Sequence, residues 1–323
     1  MGLGRSLTFA LVVASSGLIV HSPPVLGGRA AQRLSCRTPT PSAAVAAPLS
    51  LPPPPPLVAA PKTNAFSRAL TGSWFVLTSI IILIFSYIPL LPLTLYGILF
   101  DNARRRGVDV IVQTWARISL FVLGAKVEVV GAENLPPQSE PVMICPNHGS
   151  YLDIFTLSAY MPRRFKYISK IEILNIPLIG WAMQFARHIA IRRGDRRSQL
   201  ATFKDAVDSL QAGNSVVAFP EGTRTKDGRL LPFSKGPFSM AAKAAVRIVP
   251  VSIVGTHVFQ PTTALVPLAP PRGMRIVIHP PIDAPAPKTE GAAMQACREA
   301  VLSGLPSEMQ PLDAADADAA PAE

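Results

Sequence analysis

Residues 142–160 read VMICPNHGSYLDIFTLSAY: an apolar run of strand length, Val142–Cys145, a turn, and then a helical pattern over Ile154–Tyr160. A strand that feeds a helix is the opening half of a βαβ unit. The same alternation continues in both directions along the chain. Lys126–Val130, Phe165–Ile168, Ile189–Ile191, Ser215–Phe219, Ile248–Ile253 and Arg275–Ile278 are short β-branched runs that read as strands. Ile179–Phe185, Gln199–Ala212 and Phe238–Val246 read as helices, and a further late helix carries Cys297. Alternation of this kind predicts an α/β fold, a largely parallel sheet flanked by helices, over residues 125–305. Sites in such sheets form at the carboxyl ends of the strands.

Two stretches at those ends carry chemistry. His148 and Asp153 follow the strand Val142–Cys145. Five residues of regular helix turn through about 500°, so the two side chains would not share a helix face. With His148 in the strand-to-helix loop and Asp153 on the first helical turn, they can meet. A carboxylate then fixes the imidazole tautomer and leaves the other ring nitrogen free to take a proton. Phe219-Pro220-Glu221-Gly222-Thr223-Arg224 leaves a second strand in the same way. There Gly222 permits a sharp turn, Glu221 can hold a hydroxyl, and Arg224 can bind phosphate bidentately. His188, His257 and His279 have no acid at useful spacing and read as structural, while Cys145 and Cys297 read as packing. Three scattered cysteines (Cys36, Cys145, Cys297) exclude a disulfide framework and give no metal-ligand spacing, so no metal or other cofactor is implied.

Upstream of this domain the composition changes. Residues 1–100 contain no Asp or Glu and supply six of the eleven net positive charges of the 323-residue chain. The acid-free first part, with Arg5 before the apolar run Leu7–Val20 and then Ala, Ser, Pro and scattered Arg, reads as an organelle-targeting leader. It leads into a proline run, Pro52–Pro56, and the leader with its linker occupies residues 1–65. Residues 66–124 are expected to hold a membrane anchor and an amphipathic helix. Between Arg68 and Asp101 stand 32 uncharged residues, and Trp74–Phe100 exceeds the ~20 apolar residues needed to cross a bilayer. Pro89 and Pro92 interrupt it, so both a kinked membrane helix and a hairpin entering and leaving one leaflet fit. Arg104-Arg105-Arg106 then place the C-terminal domain on the cytosolic or stromal side. Ile111, Trp115, Ile118 and Val122 mark a helical face behind them. An acidic tail, residues 306–323, is expected to be solvated. The basic excess between Arg163 and Arg197 can meet anionic lipid or an acidic carrier, whereas no interleaved aromatics or binding motif point to nucleic acid.

From about Val127 to Ile282 the chain resembles the glycerolipid acyltransferases with a His-x4-Asp site. Asn147-His148…Asp153 resembles the first block of that family, Phe219–Arg224 the third, and Val249-Pro250-Val251 with Ile253-Val254-Gly255 the fourth. Ala190-Ile191-Arg192-Arg193 is similar to the second, of which Arg193 alone is carried over as a phosphate ligand. Phe233-Ser234-Lys235-Gly236 is similar to a downstream basic block in which only Lys235 keeps its charge. The stretches Ile179–Met183 and Asp195–Gln199 resemble the chloroplast lysophosphatidate acyltransferases in particular. The resemblance implies acyl transfer from an acyl-carrier-protein or coenzyme A thioester to the sn-2 hydroxyl of lysophosphatidate, giving phosphatidate. His148 would be the base and Asp153 its partner; Glu221, Gly222, Thr223, Arg224, Arg193 and Lys235 would bind substrate. Backbone groups near Gly149 or Gly222 would stabilise the oxyanion. Membrane lipid is an expected partner, the plastid membrane the expected address, and the endoplasmic reticulum the alternative. Another lysophospholipid or glycerol-3-phosphate as acceptor, or a non-catalytic lipid-binding scaffold, are the competing functions.

Overall fold

A computed structural model describes residues 56–59, 61–192 and 195–312; Arg193, the leader and the end of the acidic tail lie outside the described residues. In chain order the helices are α1 (Ala65–Phe100), α2 (Arg106–Val122), α3 (Leu152–Tyr160), α4 (Ile171–Leu174), α5 (Ile179–Phe185), α6 (Arg196–Gln211), α7 (Gly236–Ala244), α8 (Thr256–Phe259) and α9 (Glu290–Ser303). The strands are β1 (Lys126–Val130), β2 (Val142–Pro146), β3 (Lys166–Lys170), β4 (Ile189–Ile191), β5 (Val216–Val217), β6 (Arg247–Val254) and β7 (Arg272–Ile278). They form one sheet in the order β1-β7-β6-β2-β5-β3-β4. Every pairing is parallel except β6 with β7.

The order places β2 at the centre, hydrogen-bonded to β5 on one side and β6 on the other. All five residues of β2 are buried, which is why it reads as a continuous apolar run without alternation. One layer of core lies under α6, α7 and α9, with Met143, Leu210, Phe238 and Cys297 fully buried. The other lies under α3, with Ile144, Leu157, Val249 and Ile276. Cys145 and Cys297 share the first layer and have no exposure, as packing residues should.

The charge-free stretch forms one uninterrupted 36-residue helix, so the expected alternative of a hairpin is corrected. A helix of that length spans about 54 Å. Pro89 and Pro92 each remove an amide donor without breaking it. The helix is long and apolar enough to cross a bilayer, and Phe66, Phe85, Ile88 and Phe100 on it are exposed. It is also gripped by the domain. Trp74 Nε1 donates to the Val122 carbonyl (3.3 Å), Trp115 Nε1 to the Ser79 carbonyl (2.9 Å) and the Tyr87 hydroxyl to the Leu178 carbonyl (2.5 Å). Phe75 packs edge-on against Phe155 of α3.

Two boundaries shift because short apolar contacts pin the flanks. Leu57, expected in the linker, packs into a cluster with Leu230, Val301, Leu305 and Met309. The solvated tail therefore does not begin at 306: a 3-10 turn over Ser307–Met309 buries Met309, and the Leu230 amide donates to its carbonyl (2.9 Å). The strand expected over Ser215–Phe219 is only Val216–Val217 long. Ser215 is diverted to accept from Arg163 Nε (2.7 Å), and Phe219 turns away to stack on His148. Of the basic run, Arg163 and Lys166 belong to no surface. Arg163 donates to the Pro136, Pro137 and Glu140 carbonyls, and Lys166, fully buried, pairs with Asp109 of α2 at 2.6 and 2.7 Å.

Candidate functional site

Both chemistry-bearing stretches leave the carboxyl ends of neighbouring central strands, His148 after β2 and Glu221 after β5. The loop after β2 is fixed by its own side chains. Asn147 substitutes for a strand residue: its Nδ2 donates to the Ile253 carbonyl (3.0 Å) and its Oδ1 accepts from the Ile253 amide (2.7 Å). Ser150 Oγ accepts from the Leu152 amide (3.0 Å) and donates to the Gln260 carbonyl (2.7 Å), starting α3 one residue before Asp153.

Asp153 has no exposure and accepts four hydrogen bonds. Its Oδ2 accepts from the amides of Gly149 (2.8 Å) and Ser150 (2.9 Å) and from His148 Nδ1 (2.8 Å), and its Oδ1 from the Thr256 hydroxyl (2.5 Å). A carboxylate accepts only, so Nδ1 carries the proton and Nε2 has its lone pair free. Nε2 has no partner among the described residues, and the ring lies in the wall of a cavity of about 1290 Å³. Phe219 stacks on the ring at 3.9 Å between centroids, with 21° between the planes. Orientation is therefore fixed by a bond at one edge and a ring on one face.

The second loop is stitched to the first. Glu221 Oε1 accepts from the His148 amide (2.6 Å) and Oε2 from the Leu231 amide (2.8 Å), while the Thr225 amide donates to the His148 carbonyl (3.0 Å). Glu221, expected to bind substrate, here ties the two loops together through the His148 and Leu231 amides. Burial pushes its carboxyl up to about 8, against the pull of those amides. Of the backbone groups near Gly149 and Gly222 expected to meet an oxyanion, the Gly149 amide is already bound to Asp153 and the Gly222 amide to the Phe219 carbonyl (3.1 Å). Gly222 is instead needed for its backbone, with φ at +72°.

Gly222, Thr223 and Arg224 line the same cavity as His148. The Arg224 guanidinium lies 3.4 Å from the centre of the Tyr151 ring. Lys235 is exposed at the start of α7, and its neighbours Ser234 and Gly236 make the cavity wall there. Arg193 lies outside the described residues. Much of the remaining wall is apolar, with Leu83 and Leu90 of α1, Trp115 of α2, Phe155 of α3 and Met183 of α5, while Lys170, Glu172, Arg196 and Gln199 add further polar groups. His257, expected to be structural, packs beside the site. A Cβ on Gly228, whose φ is +87°, would fall 2.4 Å from its ring. Tyr151, Phe219 and Thr256 are contributors whose roles no spacing rule reveals, because each acts through a contact made only when separate loops meet.

A carboxylate-steered imidazole at the carboxyl end of a central parallel strand, in the wall of a largely apolar cavity that an arginine also lines, suits acyl transfer onto a polar acceptor. In agreement, residues 126–254 match the Acyltransferase family model. The chain is 36% identical over 250 residues to a 1-acyl-sn-glycerol-3-phosphate acyltransferase of Chlamydomonas reinhardtii, covering 77% of this chain and 74% of that one. It is 42% identical over 187 residues to a chloroplastic 1-acyl-sn-glycerol-3-phosphate acyltransferase of Arabidopsis thaliana, a match over 58% of this chain and about half (52%) of that relative. The crystal structure of the 1-acyl-sn-glycerophosphate acyltransferase from Thermotoga maritima shares the fold, with a TM-score of 0.55 at 23% identity over 71% of this chain and 95% of that one. The chain belongs to the 1-acyl-sn-glycerol-3-phosphate acyltransferase family.

Proposed function

We propose that this chain is a membrane-anchored acyltransferase of the plastid that converts lysophosphatidate to phosphatidate. The observation that carries the reading is the 2.8 Å bond from His148 Nδ1 to Asp153, which leaves Nε2 without a partner among the described residues on a ring that lines the same cavity as Arg224. His148 Nε2 takes the proton of the sn-2 hydroxyl as its oxygen attacks the thioester carbonyl. The C–O bond forms, the C–S bond breaks, and the proton passes from the imidazolium to the departing thiolate, which leaves as free thiol. Asp153 stabilises the imidazolium between these steps. Base assistance of this kind contributes typically ~10²–10⁴-fold. Arg224, with Lys235 and Arg193, binds the acceptor phosphate, and the apolar wall takes acyl chain. Membrane lipid supplies the acceptor, and α1 anchors the chain with the domain on the stromal side. The chloroplastic relatives and the acid-free leader support the plastid address, which in turn favours acyl-carrier protein as donor. The test is turnover of lysophosphatidate by the purified full chain in detergent micelles with acyl-carrier-protein or coenzyme A thioesters, read as free thiol. Equal turnover by the wild type and His148→Ala would overturn the role of His148 and support the scaffold reading, and a reticulum signal from a fluorescent fusion of residues 1–70 would overturn the address.

A further inference from the structure

Arg224 is held differently from Arg163, Arg247 and Arg275. Arg247 engages Glu140 with two nitrogens (2.6 and 2.7 Å), Arg275 pairs with Glu128 (2.8 Å), and Arg163 donates to three backbone carbonyls and Ser215. Arg224 donates to no oxygen among the described residues, and its Nη1 is buried without a partner. A buried donor in that state is costly unless something arrives to accept from it. What holds the guanidinium is the face of Tyr151, with 3.4 Å from the guanidinium carbon to the ring centre. Stacking of this kind is attractive through the ring quadrupole and constrains the guanidinium plane while leaving the N–H groups at its edge unused. The Tyr151 hydroxyl makes no hydrogen bond among the described residues, so the ring is used for its face. Tyr151 also lines the cavity and stands between His148 and Asp153, at the N-terminal cap of α3. One turn of chain thus carries the base, its carboxylate and the platform under the arginine.

We propose that Tyr151 is a positioning residue that sets acceptor specificity: its ring holds Arg224 with the N–H edge free for a terminal phosphomonoester, so that phosphorylated acceptors are preferred over neutral monoacylglycerols. The proposal rests on the reading in which Arg224 binds the acceptor phosphate, and the experiment separates the two. The full chain in detergent micelles is assayed with saturating acyl thioester and either lysophosphatidate or monoacylglycerol, as wild type, Tyr151→Leu, Tyr151→Phe and Arg224→Gln. Tyr151→Leu raises the lysophosphatidate KM by roughly 3- to 30-fold, the range a cation–π contact supplies, with kcat and the donor KM little changed. Monoacylglycerol turnover does not follow, so the preference ratio falls by the same factor, and Tyr151→Phe retains the wild-type KM. Tyr151→Met makes the same test should the leucine variant fail to fold. If Arg224→Gln raises the acceptor KM and neither Tyr151→Leu nor Tyr151→Met does, the role of Tyr151 is overturned while the phosphate reading stands. If Arg224→Gln leaves that KM unchanged, the phosphate reading falls and the proposal with it. A shift in donor chain-length preference without a change in acceptor KM would assign Tyr151 to the acyl wall and overturn the proposal.

Discussion

Asp153 is satisfied on both oxygens: two backbone amides, an imidazole and a hydroxyl all donate to it. Asp153→Asn keeps the shape but turns an NH2 toward one of those donors, so at least one bond is lost and the imidazole is free to adopt the other tautomer. On the proposed mechanism kcat should drop by about 10²–10⁴-fold with the acceptor KM nearly unchanged, checked by steady-state kinetics beside circular dichroism of the folded variant. A loss confined to KM would mean that Asp153 binds substrate instead. At this scale the pairing of His148 with Asp153 is legible from spacing, because the strand end and the first helical turn leave one way for the two side chains to meet. Glu221 is legible as a site residue but not in its role, since its partners are the amides of His148 and Leu231, and nothing local brings those loops together.

At the scale of elements, strands and helices of the domain are readable from apolar runs, whereas what fastens one to another is not. Counting charges puts Lys166 on a basic face; the fold buries it against Asp109, joining α2 to the first residue of β3. Burial raises the Asp109 carboxyl to about 7 and lowers the Lys166 ammonium, while the charge and hydrogen bonds of each partner oppose the other's shift. Removing one partner strands a buried charge. Lys166→Met should therefore destabilise by about 3–5 kcal/mol, and adding Asp109→Leu should recover most of that, as read in a double-mutant cycle of denaturant unfolding in micelles. Next along β3, the Tyr167 amide donates to His188 Nδ1 at 2.7 Å. Burial holds that imidazole neutral, its pKa lowered from 6.5 to about 3. Between those values the unfolded chain binds a proton that the folded chain refuses, so the contribution of His188 is complete above pH 6.5 and declines as the pH falls toward 3. The stability gap between the wild type and His188→Gln should consequently narrow by about 2 kcal/mol from pH 6.5 to 5, at ~1.4 kcal/mol per pH unit, while groups common to both cancel. A gap that does not move over this range would show that His188 titrates alike in both states.

Over the whole molecule, the segment that composition sets apart as an anchor also packs on the domain that follows it. Hydropathy distinguishes α1 because lipid and protein interior both favour apolar residues, and for the same reason it does not tell which face meets which. The structure turns one face outward with Phe66, Phe85 and Ile88, and gives another to the cavity with Phe75, Leu83 and Leu90. Trp74, Tyr87 and the Ser79 carbonyl hold that second face at a fixed depth and rotation against α2 and the segment before α5. A helix serving only as an anchor could be exchanged for any other apolar span; one that walls the cavity could not. Replacing residues 69–100 by a polyleucine–alanine helix of equal length should therefore leave the chain in the membrane fraction but lower turnover at least tenfold, because the two indole–carbonyl or hydroxyl–carbonyl grips supplied by Trp74 and Tyr87 are lost, at about 0.5–1.5 kcal/mol each, and the wall loses its shape. Restoring Trp74, Phe75, Ser79, Leu83, Tyr87 and Leu90 within the replacement helix should return most of the activity, measured as free thiol released per mole of membrane-bound chain. Full turnover by the plain polyleucine–alanine version would reduce α1 to a tether that the cavity does not need.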